Sequence, residues 1–281
     1  MARFLISSAI ALVIAILAYR ARALNQSGAL TAAILGSLIL GLGGPSWGLI
    51  LLSFFISAST LSNRFKRQKL SINAYAAKGS QRDAGQVLAN GAVGGIFVLL
   101  FSLIGHLFPD SPVVPALWIG FAASFAGANA DTWATELGWL NRRDPVLLSS
   151  FKRVPKGTSG GVSLVGTLAS LMGAALVAGV AVLTQSIGWA PHISQPLGDV
   201  FLFITIGGMV GSLVDSVLGA TLQASYFCPQ CDLQTEKTPR HSCGTETTYL
   251  RGISWLNNDW VNAACTLSAG IIGMLLAFLF I

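Results

Sequence analysis

Apolar residues fill long stretches of the chain, and polar residues collect in the short segments between them. Stretches such as 4–18 and 271–281 are apolar on every face. Transmembrane strands would instead alternate apolar and polar residues over about ten positions. At about 20 apolar residues per crossing, the pattern predicts helices near 4–19, 25–43, 46–62, 84–108, 114–138, 158–187, 198–222 and 259–281. The expected fold class is therefore all-α, a polytopic membrane protein of about eight transmembrane helices forming one integral membrane domain over residues 1–281. The second stretch is short and broken by glycines, so seven crossings with a re-entrant segment is the competing count.

Charge supports the even count. Arg20 and Arg22 follow the first helix; Arg64, Lys66, Arg67, Lys69, Lys78 and Arg82 follow the third. Arg142, Arg143, Lys152, Arg153 and Lys156 follow the fifth, and Lys237, Arg240 and Arg251 the seventh. Of the 17 basic residues only Arg3 falls on the other side, so the positive-inside rule puts the basic loops in the cytoplasm and both termini outside. Ala21-Arg22-Ala23 imitates a signal cleavage site, but basic residues directly after an apolar run read as those of an uncleaved anchor.

Composition removes the other classes. Hydrophobic residues make up 53% and charged residues 10%, with a mean hydropathy of +0.68, against about 25% charge in a soluble domain. That excludes an ordinary soluble globule, a disordered chain and a small disulfide scaffold. The net charge of +6 is mostly this topology signal; it would also attract anionic lipids or substrates and calls for no nucleic acid. The expected location is a multi-pass position in a plasma membrane, or in the thylakoid membrane of a phototroph.

Polar side chains inside apolar helices are expensive and are functional candidates by default. Asp83, Gln86 and Asn90 share one stripe at the start of the fourth helix. Late in the fifth, Asn129, Thr132 and Glu136 share a stripe, while Asp131 lies on another, about 140° from Glu136. Gly211-Ser212-Leu213-Val214-Asp215-Ser216 repeats the Gly-x-x-x-Asp-Ser/Thr spacing of Gly127, Asp131 and Thr132. Asn258, Asp259 and Asn262 cluster at the start of the eighth helix. All four groups fall in the cytoplasmic third, whereas a transporter usually binds near the midplane. The distribution favours an enzyme working on an amphiphilic lipid at the membrane surface.

Two loop features add chemistry. Lys156, Gly157, Thr158, Ser159, Gly160 and Gly161 precede the sixth helix. Thr158 or Ser159 as N-cap, free backbone N–H groups and the helix dipole would suit a phosphate, although the Walker order is absent. Carboxylates beside phosphate imply Mg²⁺ on Asp131, Glu136, Asp215 or Asp259. Cys228, Cys231, His241 and Cys243 suggest a structural zinc clamp within a small cytoplasmic insertion over residues 223–257; free thiols or a redox pair are the other readings.

The combination resembles the family labelled domain of unknown function 92, which includes the phytyl-phosphate kinase of the vitamin E pathway and the human transmembrane protein 19 type. The resemblance rests on Gly28-Ala-Leu-Thr, Arg82-Asp-Ala-Gly-Gln-Val-Leu-Ala-Asn90-Gly, Ala130-Asp131 with Glu136-Leu-Gly, and Lys156-Gly-Thr-Ser-Gly-Gly-Val-Ser. It continues through Asp215-Ser216 with Gly219-Ala220, Cys228-x-x-Cys231 with Cys243-Gly, and Asn258-Asp259-x-Val-Asn262. It implies conversion of phytyl phosphate, or geranylgeranyl phosphate, to the diphosphate with a nucleoside triphosphate, CTP or another, in tocopherol biosynthesis. Asp131, Glu136, Arg82, Lys156 and Asp215 would be catalytic. Residues 157–161 with Gln86, Asn90, Asn129, Asn258 and Asn262 would bind nucleotide and phosphate. A carrier or flippase of phosphorylated isoprenoids and a lipid-phosphate nucleotidyltransferase are the alternatives.

Overall fold

The computed structural model describes residues 2–65 and 81–280. Within them, eight helices are long and apolar enough to cross a membrane: α1 (Ala2–Arg20), α2 (Gln26–Gly43), α3 (Pro45–Phe65), α4 (Ala84–Leu107), α5 (Val113–Gly138), α6 (Leu164–Ser186), α7 (Leu197–Thr221) and α8 (Asn258–Leu279). The basic positions Lys66, Arg67, Lys69 and Lys78 lie outside the described residues.

Helix α2 is a full crossing rather than a re-entrant hairpin. Its 18 residues span about 27 Å at 1.5 Å each. The glycines that interrupt it serve packing: a Cβ on Gly41 would fall 2.5 Å from the Phe4 ring of α1. The turn into α3 uses Gly44 at φ +90°, a left-handed conformation that a side chain disfavours.

Helix α5 is the axis of the bundle. Its apolar window is 83% buried, against 17–44% for the other seven helices, because every residue from Ala116 to Ala130 is covered. A helix apolar all round has no solvent or lipid face to keep. Helices α3, α4, α6, α7 and α8 pack directly on it. Trp47 of α3 meets Phe121 of α5 at 4.3 Å between ring centroids, and Phe121 meets Phe125 edge-on at 5.0 Å.

Against α7 and α8 the contact is made by small residues instead. Gly127 and Gly211 both press on Cys265 and Ala269 of α8. Small residues allow backbones to approach closely where lipid supplies no hydrophobic drive between helices.

The remaining structure lies at one end of the bundle. Strands β1 (Val146–Leu147) and β2 (Gly161–Val162) pair antiparallel between α5 and α6. Between α7 and α8, β3 (Ser225–Cys228), β4 (Leu233–Thr235) and β5 (Thr248–Arg251) form an antiparallel sheet in the order β4-β3-β5. Pairing at β2 corrects the expected start of the sixth helix. Residues 158–163 are a turn and strand, and the helix begins at Leu164 with Ser163 as N-cap, its side chain accepting from the Gly166 N–H at 3.1 Å.

Candidate active site

A cavity of about 1070 Å³ opens at this end, bounded by the first turns of α4, α6 and α8 and the last turns of α5 and α7. Of the site residues expected from sequence, Arg82, Gln86, Asn90, Asp131, Glu136, Lys156, Asp215, Asn258, Asp259, Asn262 and all of 157–161 line it. Polar groups that are separated along the chain meet because each stands at a helix end facing the same side.

Asn129 is the exception. It is fully buried between helices, where Ser57 Oγ donates to its Oδ1 at 2.7 Å and its Nδ2 donates to the Gly173 carbonyl at 2.8 Å. It ties α3, α5 and α6 together and does not reach the cavity, so its place is structural.

The carboxylates divide into two sets. Asp131 and Asp215 face each other at close range, with Glu236 near Asp215. Asp215 Oδ2 is buried and finds no hydrogen-bond donor among the described residues. Glu136 turns the other way, accepting from Ser62 Oγ at 3.0 Å and lying beside the Arg82 guanidinium. Burial lowers Arg82 to about 10, and Glu136 opposes that shift; the side chain stays charged near neutral pH and stacks over the Phe54 ring at 5.2 Å. The Arg82 backbone is anchored too: its carbonyl accepts from Asn25 N–H at 3.1 Å, and a Cβ on Gly28 would sit 2.2 Å from that oxygen. Among the described residues the four proposed Mg²⁺ carboxylates therefore do not converge on one point; the only group of three or more metal-ligating side chains that does is Cys228, Cys231, His241 and Cys243.

The glycine-rich turn also differs from expectation. Its N–H groups do not open a helix. Gly160, at φ +78°, packs so closely that a Cβ would fall 2.2 Å from Ala220 N, and Ser159 Oγ donates to Gln223 Oε1 at 2.8 Å. Lys156 Nζ donates to the carbonyls of Trp139 and Asn141 at 3.0 and 2.6 Å, capping the C-terminal end of α5 as a cation does best. An ammonium has three donors, so a third N–H and the charge remain for a ligand in the cavity. Asp83 and Gln86 form a capping box at the start of α4, which gives Gln86 a structural partner as well as a place in the lining.

The family described as integral membrane protein DUF92 matches residues 9–270. The chain belongs to that family. Among curated relatives, Protein PGR of Arabidopsis thaliana is 32% identical over 272 residues, 92% of this chain and 91% of its own. An uncharacterized membrane protein of Methanocaldococcus jannaschii is 30% identical over 276 residues, covering 98% and 94% of the two chains. Protein VTE6, chloroplastic, of Arabidopsis thaliana is 25% identical over 255 residues, 90% of this chain and 65% of that one. No solved structure matches the chain. This DUF92 protein is thus an integral membrane protein.

Sequence reasoning missed three residues of this DUF92 site. Glu236, from the loop after β4, lines the cavity, and Gln223 Nε2 donates to it at 2.8 Å. Gln223 is almost fully buried and joins Ser159 to Glu236. Ser62 holds Glu136. Ser62 and Gln223 stand apart from the polar groups within the helices, and Glu236 lies in a loop polar throughout, where nothing distinguished it from its neighbours, so no spacing signal marked them.

Proposed function

We propose that this protein is a membrane-embedded kinase that converts an isoprenoid phosphate, phytyl or geranylgeranyl, to the diphosphate with a nucleoside triphosphate and Mg²⁺. The observation that carries the reading is the pairing, in one cavity at the basic end, of Asp131 and Asp215 with Arg82 and Lys156. Resemblance to the family containing phytyl-phosphate kinase supplies the substrate class. A volume of about 1070 Å³ is slightly above the range of small-molecule pockets, ~300–1,000 Å³, which suits two phosphorylated ligands together.

The chemistry asks little of a general base, because a phosphate monoester has a second pKa of about 6 and is mostly dianionic at neutral pH. Its difficulty is bringing two polyanions into line. An oxygen of the isoprenoid phosphate attacks the γ-phosphorus, the bond from that phosphorus to the β–γ bridging oxygen breaks, and the nucleoside diphosphate leaves with the electron pair. Lys156 and Arg82 would offset charge on the phosphates and orient them. Asp131 and Asp215 fit a divalent cation: two facing carboxylates repel, and the undonated Asp215 Oδ2 is an acceptor in need of a partner. Mg²⁺ commonly takes one or two carboxylates plus phosphate oxygens, and when bound it would screen the charge that builds on the transferring group. Glu136, already beside Arg82, is a positioning residue for that guanidinium. Met209, Val210 and Leu213 give the cavity an apolar flank on α7, and Leu213 is exposed at the bundle surface; the isoprenoid chain would leave there into lipid.

Detergent-purified protein incubated with phytyl phosphate, Mg²⁺ and each nucleoside triphosphate should yield phytyl diphosphate by mass spectrometry. A nucleotidyl lipid would identify the transferase alternative. Movement of lipid phosphate across vesicles with no triphosphate consumed would identify a carrier, and either result would displace the kinase reading.

A further inference from the structure

The segment between α7 and α8 has little to hold it together. Its three strands are three or four residues long, and over residues 223–257 the buried side chains are Gln223, Ala224, Ser225, Cys228, Thr235 and His241. Such a small unit lacks an apolar core and needs a staple.

Four metal-ligating side chains stand where a staple would be. Cys228 ends β3, and Cys231 follows in the turn to β4, where Asp232 takes φ +49°. His241 and Cys243 come from a second tight turn, closed by the Gly244 N–H donating to the His241 carbonyl at 2.9 Å. The two turns are tied by Thr245 Oγ1 donating to Gln230 Oε1 at 2.5 Å. The four ligand atoms lie within 4.8 Å of one another. Cys228 and Cys243 sulfurs are 3.6 Å apart, and His241 Nδ1 is 3.4 Å from Cys243 Sγ. A tetrahedral zinc ion, with Zn–S about 2.3 Å and Zn–N about 2.0–2.1 Å, separates sulfurs by roughly 3.8 Å and nitrogen from sulfur by roughly 3.6 Å. A disulfide would require about 2.05 Å, and all four cysteines are free.

We propose that Cys228, Cys231, His241 and Cys243 bind one Zn²⁺, and that this ion fixes the 236–242 segment as a wall of the cavity. Three thiolates and an imidazole complete the tetrahedron, leaving no open position, so the zinc is structural. Its reach into the site runs through neighbours on either side of the ligands. Glu236 and Lys237 follow β4 and line the cavity; Gln223 joins Glu236 to Ser159 of the glycine-rich turn. Lys237 Nζ donates to Ser242 Oγ at 2.5 Å. At the far edge of the sheet, Arg251 Nη1 donates to the Ala220 carbonyl at 2.8 Å, pinning β5 to the end of α7. The sheet is thus clamped to the bundle at one edge and by the metal at the other.

The test is metal content, which is independent of any transfer activity. Full-length protein purified in detergent without chelator should carry one zinc per chain by plasma mass spectrometry. Replacement with Co²⁺ should give thiolate charge-transfer and tetrahedral ligand-field bands. Cys228→Ser and Cys243→Ser should lose the metal, whereas Cys265→Ser, whose thiol is buried between α5, α7 and α8, should keep it. Stripping the zinc should expose residues 223–257 to protease while helical circular dichroism persists. Folded wild-type protein that holds no zinc and gives no tetrahedral cobalt spectrum would overturn the proposal. So would full zinc retention in the Cys228 and Cys243 variants. Because the cobalt spectrum is read on the wild-type chain, a variant that fails to fold does not remove the test.

Discussion

Two residues apart on α5, Asn129 and Asp131 illustrate how depth in the bundle separates structure from chemistry. Asn129 spends its amide on Ser57 and the Gly173 carbonyl in a place closed to the cavity. Asp131, one turn nearer the helix end than Gly127, faces Asp215 and lines the cavity. Asn129→Ala should therefore lower thermal stability by about 1–3 kcal/mol, the range for leaving a buried polar partner unsatisfied, while the rate of phosphoryl transfer stays near wild type. Asp131→Asn and Asp215→Asn keep shape but remove charge. Loss of groups that merely support metal ligands costs ~10–100-fold, so if these aspartates hold Mg²⁺ as proposed, each substitution should reduce turnover by at least about 100-fold with the melting temperature unchanged. Melting curves and turnover measured on the three variants decide it. Silent aspartate variants beside an inactive Asn129→Ala would reverse the assignment.

At the scale of the element, the deciding feature is the Gly-x-x-x-Asp spacing shared by α5 and α7. A Cβ on Gly211 would stand 2.6 Å from the Cys265 carbonyl oxygen, and one on Gly127 would stand 2.7 Å from the Ala269 Cβ. Both helices thus close on the same two residues of α8, and each presents its aspartate one turn later. Gly211→Val should push α7 from α8, separate Asp131 from Asp215 and cut turnover. Gly179→Ala on α6, where a Cβ would meet nothing within 4 Å, should be neutral or stabilise by about 0.5–1 kcal/mol; equal turnover in both variants would show that this approach does not set the aspartates. The helices themselves were legible, because long apolar runs leave little freedom in where a crossing begins; only α2, with its glycines, left the count open. The exception was the start of α6, where Gly-Thr-Ser-Gly-Gly is as compatible with a turn as with a cap, and pairing of Gly161 with Leu147 chose the turn. The polar clusters were legible as a set because burial in lipid makes them rare. Their partners were not: that Glu136 goes to Arg82 while Asp131 goes to Asp215 is decided by how the helices lie against one another, and Gln223 and Glu236 enter the site only through that packing.

For the molecule as a whole, the cavity and the basic residues share one end. The helix ends that bound the cavity are those joined by the segments carrying Arg64, Arg82, Arg142, Lys156, Lys237 and their neighbours, and among the described basic residues only Arg3 belongs to the opposite side. By the positive-inside rule that end would be cytoplasmic, where nucleoside triphosphates would be available to a cavity that opens there. The α6–α7 connection, with His192 exposed, would face outward, and the α5–α6 connection, with Ser150 exposed, would face the cytoplasm. An impermeant maleimide should therefore label His192→Cys in intact cells above the wild-type background and label Ser150→Cys only after permeabilisation. The opposite pattern would put the carboxylates and the glycine-rich turn on the side away from cytosolic nucleotide, and a kinase that draws its donor from the cytosol could not then be the function of this site.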